Sequence, residues 1–184
     1  MVHKESELNH KTQPVYWLET AISLKYSADL LLKEAKQKGE NTIRLAFNDR
    51  WTQFTSELKI NRMVLQSYMV LMTLALENLM KVIAIFQNPD LESSEDSKLQ
   101  GVILKHDLSE LAEMIDLDVG ALPFDAVAFL RKLSGFATWA QWYPVAMKAT
   151  HHQDVSLDME TDPPWCNSLW EHLMQRRDQI IRVR

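Results

Sequence analysis

The sequence predicts an all-α protein, an up-and-down antiparallel bundle of five to six helices, and three observations carry that expectation. Gly and Pro are scarce, four and six in 184 residues, which suits long helices better than sheets with frequent turns. Apolar residues recur at spacings of three and four through most of the chain, the period of one helix face. With 46% hydrophobic residues, a chain of this length encloses one continuous core. The expected organisation is a polar tail over residues 1–13 and a single domain over 14–184.

Taken in order, Pro14 suits a first helical turn, and Trp17, Ala21, Leu24, Ala28 and Leu31 or Leu32 then recur on one face up to Gly39. Ile43, Phe47, Trp51, Phe54 and Leu58 are read with the same period, as a second helix over residues 41–59. The densest stripe follows over residues 61–87, with Leu65, Met69, Met72, Leu76, Leu79, Ile83 and Phe86 and no Gly or Pro inside. This is the expected central helix. The acidic stretch LESSEDSK, residues 91–98, reads as a loop. A shorter helix over residues 108–115 presents Leu108, Leu111, Ala112 and Ile115, and a turn falls at Gly120. Residues 123–149 then repeat apolar positions from Phe124 to Ala140, with Pro144 set to kink or end the helix. After the loop THHQDVSLDMETDPP, a last helix begins at Trp165 and ends in the basic RRDQIIRVR.

Composition excludes several function classes. A formal charge of -5 with interleaved signs gives no broad electrostatic footprint for nucleic acid, leaving room for a local RNA-binding patch. Cys166 is alone, so there is neither a disulfide framework nor a cysteine zinc cluster. The polar start MVHKESELNHKTQ lacks the apolar stretch of a signal peptide, and no uninterrupted apolar run reaches the roughly 20 residues of a membrane span. A soluble cytoplasmic protein with no membrane partner is expected. No Gly-rich phosphate loop, G-x-S-x-G elbow or cysteine nucleophile context is present.

Three segments in order carry a family resemblance: YMVLMTLALENLMKVIAIF at 68–86, KHDLSELAEMI at 105–115 and LRKLSGFATWAQWYPVAMKA at 130–149. The series resembles the HEPN superfamily of small helical-bundle proteins, in which a helix carrying a spaced Ala, Glu and Lys precedes an "HDL" helix start and a later helix ends in "RYP". WLETAISLKYSADLLLK, residues 17–33, is similar to the first helix of that bundle, and the likeness spans roughly residues 15–150. Trp142 stands where the arginine of "RYP" falls, and residues 41–60 read as an insertion. Ribonuclease members of the superfamily place a histidine four to six residues after an arginine, a pair suited to phosphate charge and proton transfer. No arginine of this chain has a histidine at that distance downstream. The resemblance therefore implies a bundle without that ribonuclease motif.

His106 and Asp107 open an apolar periodic run with Glu110 three residues on. Asp107 as helix cap, with Glu110 completing a capping box, accounts for these residue types, and a second role at the rim of a site stays open beside it. Glu77 and Lys81 have the spacing of an ion pair, which on an outer face is merely solvated. On a helix buried on most sides, the strip Glu77, Asn78 and Lys81 would instead line a cleft, with His106 and Tyr143 near it. Trp139 and Trp142, with Tyr143, suit either core packing or a dimer interface. His151, His152 and Asp154, with Asp158, Glu160 and Asp162 nearby, are metal-ligand types. A polar loop supplies neither the fixed scaffold nor the supporting shell of a metal site, so a solvated loop and no metal or cofactor is expected. The Glu-x-x-His spacing of di-iron bundles occurs at Glu7 and His10, in the tail. Cys166 reads as a small buried side chain.

The functional expectation is a non-catalytic HEPN-like bundle acting by association as a homodimer, with a cleft of Glu77, Asn78, Lys81, His106, Asp107 and Tyr143 that binds RNA, a nucleotide or a partner protein. The resemblance adds a nucleotidyltransferase-like partner and a toxin–antitoxin or defence setting. The alternative is a divergent, metal-independent ribonuclease that uses His106 with Arg131, or His172 with Arg176.

Overall fold

The computed structural model describes residues 14–38, 42–48, 53–88, 105–136 and 157–183. Among them are five α-helices: α1 (Pro14–Lys38), α2 (Ile60–Gln87), α3 (Leu108–Met114), α4 (Ala126–Gly135) and α5 (Asp162–Val183). Between α1 and α2 stand two strands, β1 (Thr42–Asn48) and β2 (Gln53–Lys59), and a 3-10 turn at Val119–Ala121 precedes α4. The fold is thus a helical one with a single antiparallel ribbon.

α2 is the axis of the core. It packs against α1, α3, α4 and α5, and no residue from Tyr68 to Gln87 is exposed. Met69, Met72, Leu76, Leu79, Met80 and Ile83 are fully buried, as expected where apolar side chains point outward from a helix in every direction toward neighbours. The stretch Val64–Gln87 is long and apolar enough to cross a membrane, yet most of it lies inside the fold. α1 contributes Ala21, Ala28 and Leu32 to the core, while α5 contributes Cys166, Leu169, Trp170 and Leu173. The small residues of α1 let its backbone lie close along α2.

The helix expected over residues 41–59 is corrected: β1 and β2 pair antiparallel from Thr42↔Lys59 to Asn48↔Gln53. Ile43 to Phe47 and Phe54 to Leu58 are each four apart, a spacing that fits one helical turn and equally fits two strand alternations. Thr42, Ile43, Phe47, Phe54 and Thr55 are strand-favouring types, and Asn48-Asp49 is a poor helix interior.

α3 is only seven residues long and is held by its ends. Asp107 caps it, its Oδ1 accepting from the Ser109 and Glu110 N–H groups at 2.8 and 3.3 Å. At the other end Asp116 takes a left-handed backbone with φ 50°, and its N–H donates to Glu113 O while Leu117 N–H donates to Ala112 O. This is the Schellman closure, with Asp in the place where Gly is commonest. Glu110 does not simply face the cap, since Lys105 Nζ lies 2.5 Å from its Oε2.

Hydrogen bonds at both ends set the direction of α3. His106 meets Glu77 at one end, and Gln87 Nε2 donates to Ile115 O at the other, 3.1 Å away. α3 therefore runs alongside the C-terminal half of α2 in the same direction, a departure from strict up-and-down alternation.

Asp125 caps α4 by accepting from Ala128 N–H at 3.0 Å. α5 begins at Asp162, three residues before the expected Trp165, because Pro163 and Pro164 are tolerated in a first turn, where no N–H is needed. Asp162 is fully buried and accepts from Lys132 Nζ at 2.6 and 2.8 Å, tying α4 to the start of α5. Phe124, Phe129 and Trp165 close the same junction, with Phe124 stacked on Trp165 at 4.9 Å between centroids and Phe129 edge-on to both.

Leu76 sits at the middle of α2 with no exposed surface. Leu76→Ala is expected to cost about 2–5 kcal/mol with an unchanged urea slope. A urea melt followed by circular dichroism checks this; a loss well below that range would remove α2 from the centre of the core.

Candidate functional site

Glu77 and Lys81 lie one helical turn apart on α2, and the turn they occupy is interior. Lys81 Nζ is 2.6 Å from Glu77 Oε1, with side-chain exposures of 2% and 5%. Lys81 Nζ also lies over the ring of Trp17 of α1, 5.1 Å from its centroid, a cation–π contact in a shielded setting. His106, immediately before the cap of α3, places Nδ1 3.1 Å from the same Glu77 Oε1. Its side chain is 57% exposed. One carboxylate oxygen thus takes an ammonium from its own helix and an imidazole from the next segment, while Glu77 Oε2 is buried with no hydrogen-bond partner.

Such a group is costly to build. Withdrawing two charges from water is repaid by their attraction only when every lone pair and proton is satisfied, and apolar replacements are often as stable. An orphaned buried carboxylate oxygen adds to that cost. Core packing alone does not call for this group.

Asp107 is committed to structure. Beyond capping α3, its Oδ1 is 3.3 Å from Ser134 Oγ of α4, and Ser134 Oγ accepts from Leu108 N–H at 2.9 Å. This joins the start of α3 to α4 and fixes where His106 enters. Asn78 turns back on its own helix, its Nδ2 donating to Leu74 O at 2.7 Å. Arg131 is exposed on α4. His172 and Arg176 are half-buried on α5, and Arg176 Nε has no partner. No hydrogen bond or ion pair among the described residues joins His106 to Arg131 or His172 to Arg176. Trp139, Trp142, Tyr143, His151, His152 and Asp154 lie outside the described residues.

Among the described residues no group of His, Cys, Asp and Glu could hold a metal ion. Asp158, Glu160 and Asp162 instead build the approach to α5. The Glu160 backbone N–H, with help from Thr161, holds the Asp158 carboxyl below its ordinary value, and Asp158 N–H donates to Asp162 Oδ2 at 2.8 Å. Cys166 is buried with its thiol pushed up, first by desolvation and then by Asp162, which makes it a poor nucleophile. Tyr68 beside it is likewise raised by burial, its hydroxyl donating to Pro163 O at 3.4 Å.

Sequence reasoning missed Trp17 and Ser134 as supports of the group and the Lys132–Asp162 tie. Trp17 carried only an apolar-face signal, and Ser134 only that of a polar residue in a helix. No known family model, curated protein or solved structure matches this chain.

Two outcomes test these assignments. Asp107→Ala is expected to cost about 1–2 kcal/mol, the loss of an N-cap, measured by chemical denaturation; an effect near zero would detach the cap from the fold's stability. Lys81→Met is expected to cost about 3–5 kcal/mol by stranding a buried carboxylate, whereas the double variant Glu77→Leu/Lys81→Met recovers most of that loss. A double variant as unstable as the single one would make the pair a requirement of folding.

Proposed function

We propose that the protein is a non-catalytic, HEPN-like helical bundle that acts by association, as a homodimer whose polar pocket around Glu77 holds a nucleotide or RNA. The observation that carries this reading is the buried Glu77–Lys81 pair with its unpartnered Oε2 and the half-exposed His106 at its edge. A polar group of this kind in the most apolar helix costs stability, and a few placed polar groups in an apolar surround are what a ligand site uses for specificity.

Association has its own support. α1 bears a second apolar stripe on its outer side, with Val15, Ile22, Tyr26 and Leu30 between 46% and 65% exposed. An antiparallel copy related by a two-fold between Ile22 and Ser23 sets Val15 against Leu30, Ile22 beside Ser23 and Tyr26 beside Glu19, an isologous arrangement. Trp139 and Trp142 are the other proposed interface residues. The ordered likeness of residues 15–150 to the superfamily supports a cytoplasmic toxin–antitoxin or defence setting with a nucleotidyltransferase-like partner protein. The ribonuclease alternative gains no support from the described arginine and histidine contacts.

Native mass spectrometry of the freshly purified protein tests the reading. A dimer carrying a nucleotide or RNA fragment is expected, with Ile22→Lys shifting it toward monomer. A bare monomer that also fails to bind added nucleotide and RNA overturns it.

A further inference from the structure

Resting on the pocket reading above, we propose that Glu77 fixes His106 as the Nδ1–H tautomer, so that the pocket takes a nucleobase edge through the His106 Nε2 lone pair and not a phosphate group. An ionised carboxylate only accepts hydrogen bonds. Lys81 Nζ forms an ion pair with Glu77 Oε1 at 2.6 Å, so the 3.1 Å approach of His106 Nδ1 to that oxygen is a hydrogen bond with the proton on Nδ1. In neutral imidazole the other nitrogen is then an acceptor.

Nε2 lies on the far side of the ring from Glu77, and the side chain is 57% exposed. His106 therefore offers a ligand an oriented acceptor. Asp107, anchored to Ser134, fixes the backbone one residue away, and Lys81 with Trp17 holds the carboxylate behind it. Such supporting contacts select the tautomer and orientation of a functional imidazole.

The charges of the described residues work against the opposite preference. Glu77, Asp107 and Glu110 supply three carboxylates. Among the described residues the ammonium groups beside them, Lys81 and Lys105, are paired with Glu77 and Glu110. A phosphate would meet a net negative setting and an imidazole nitrogen without a proton. An exocyclic amino group, as on adenine or cytosine, meets a waiting lone pair.

Long-range 1H–15N correlation spectra of the full-length labelled protein at about pH 8, above the ordinary imidazole range, test the inference directly. A protonated Nδ1 and a bare Nε2 are expected for His106, with the Nε2 resonance moving saturably on addition of adenosine or cytidine and staying still with inorganic phosphate. The exposed His106→Phe variant is expected to weaken nucleoside binding roughly tenfold, the worth of one good hydrogen bond. A bare Nδ1, or a response to phosphate without one to nucleosides, overturns the proposal. Nucleoside binding that leaves His106 unmoved overturns it while sparing the pocket reading, and failure of nucleosides, nucleotides and RNA alike overturns both.

Discussion

Enclosure of α2 is the constraint on which the rest depends. From Tyr68 to Gln87 the helix has no exposed position, so any polar side chain on it must find its partners inside the protein. Thr73 and Asn78 do so by donating to carbonyls one turn back on α2 itself, those of Met69 and Leu74. Glu77 and Lys81 pair through Oε1 and recruit Trp17 and His106 from two other segments, while Glu77 Oε2 keeps no partner. The same enclosure that makes the core makes the polar group conspicuous.

The placement of α3 follows from that need. Seven residues form a marginal helix on their own, and this one is secured by an aspartate at each end, by the apolar residues Leu108, Leu111 and Ile115, and by hydrogen bonds to α2 and α4. Because Asp107 and Ser134 set where the chain enters, the imidazole one residue earlier has little choice of position. Adjacent residues differ in exposure and duty: Asp107 holds the start of α3, and His106 faces out.

Much of this was legible in the sequence where one period dominates. The stripe from Leu65 to Ile83 has no competing reading, and it marked both the buried helix and the oddity of charges within it. The HDL start of α3 was legible because capping demands a short polar acceptor at that position. The β-ribbon was not, since apolar residues four apart satisfy both regular structures and only the pairing between Ile43 and Leu58, or Phe47 and Phe54, decides. The closeness of His106 to Glu77 follows from Glu77 facing inward, whereas the contribution of Trp17 depends on how α1 lies against α2, which no local pattern encodes. The Lys132–Asp162 tie is illegible for the same reason, joining residues thirty apart.

The sealed position of Cys166 gives the molecule an internal gauge. It is the one cysteine in 184 residues, has no exposed surface, and faces Met69 across the α2–α5 contact with Sγ 3.9 Å from Sδ. A thiol reagent reaches it when α5 parts from α2. The rate of a single covalent labelling event is thus a direct clock for the opening of that seam, separable from movements of the exposed helix faces.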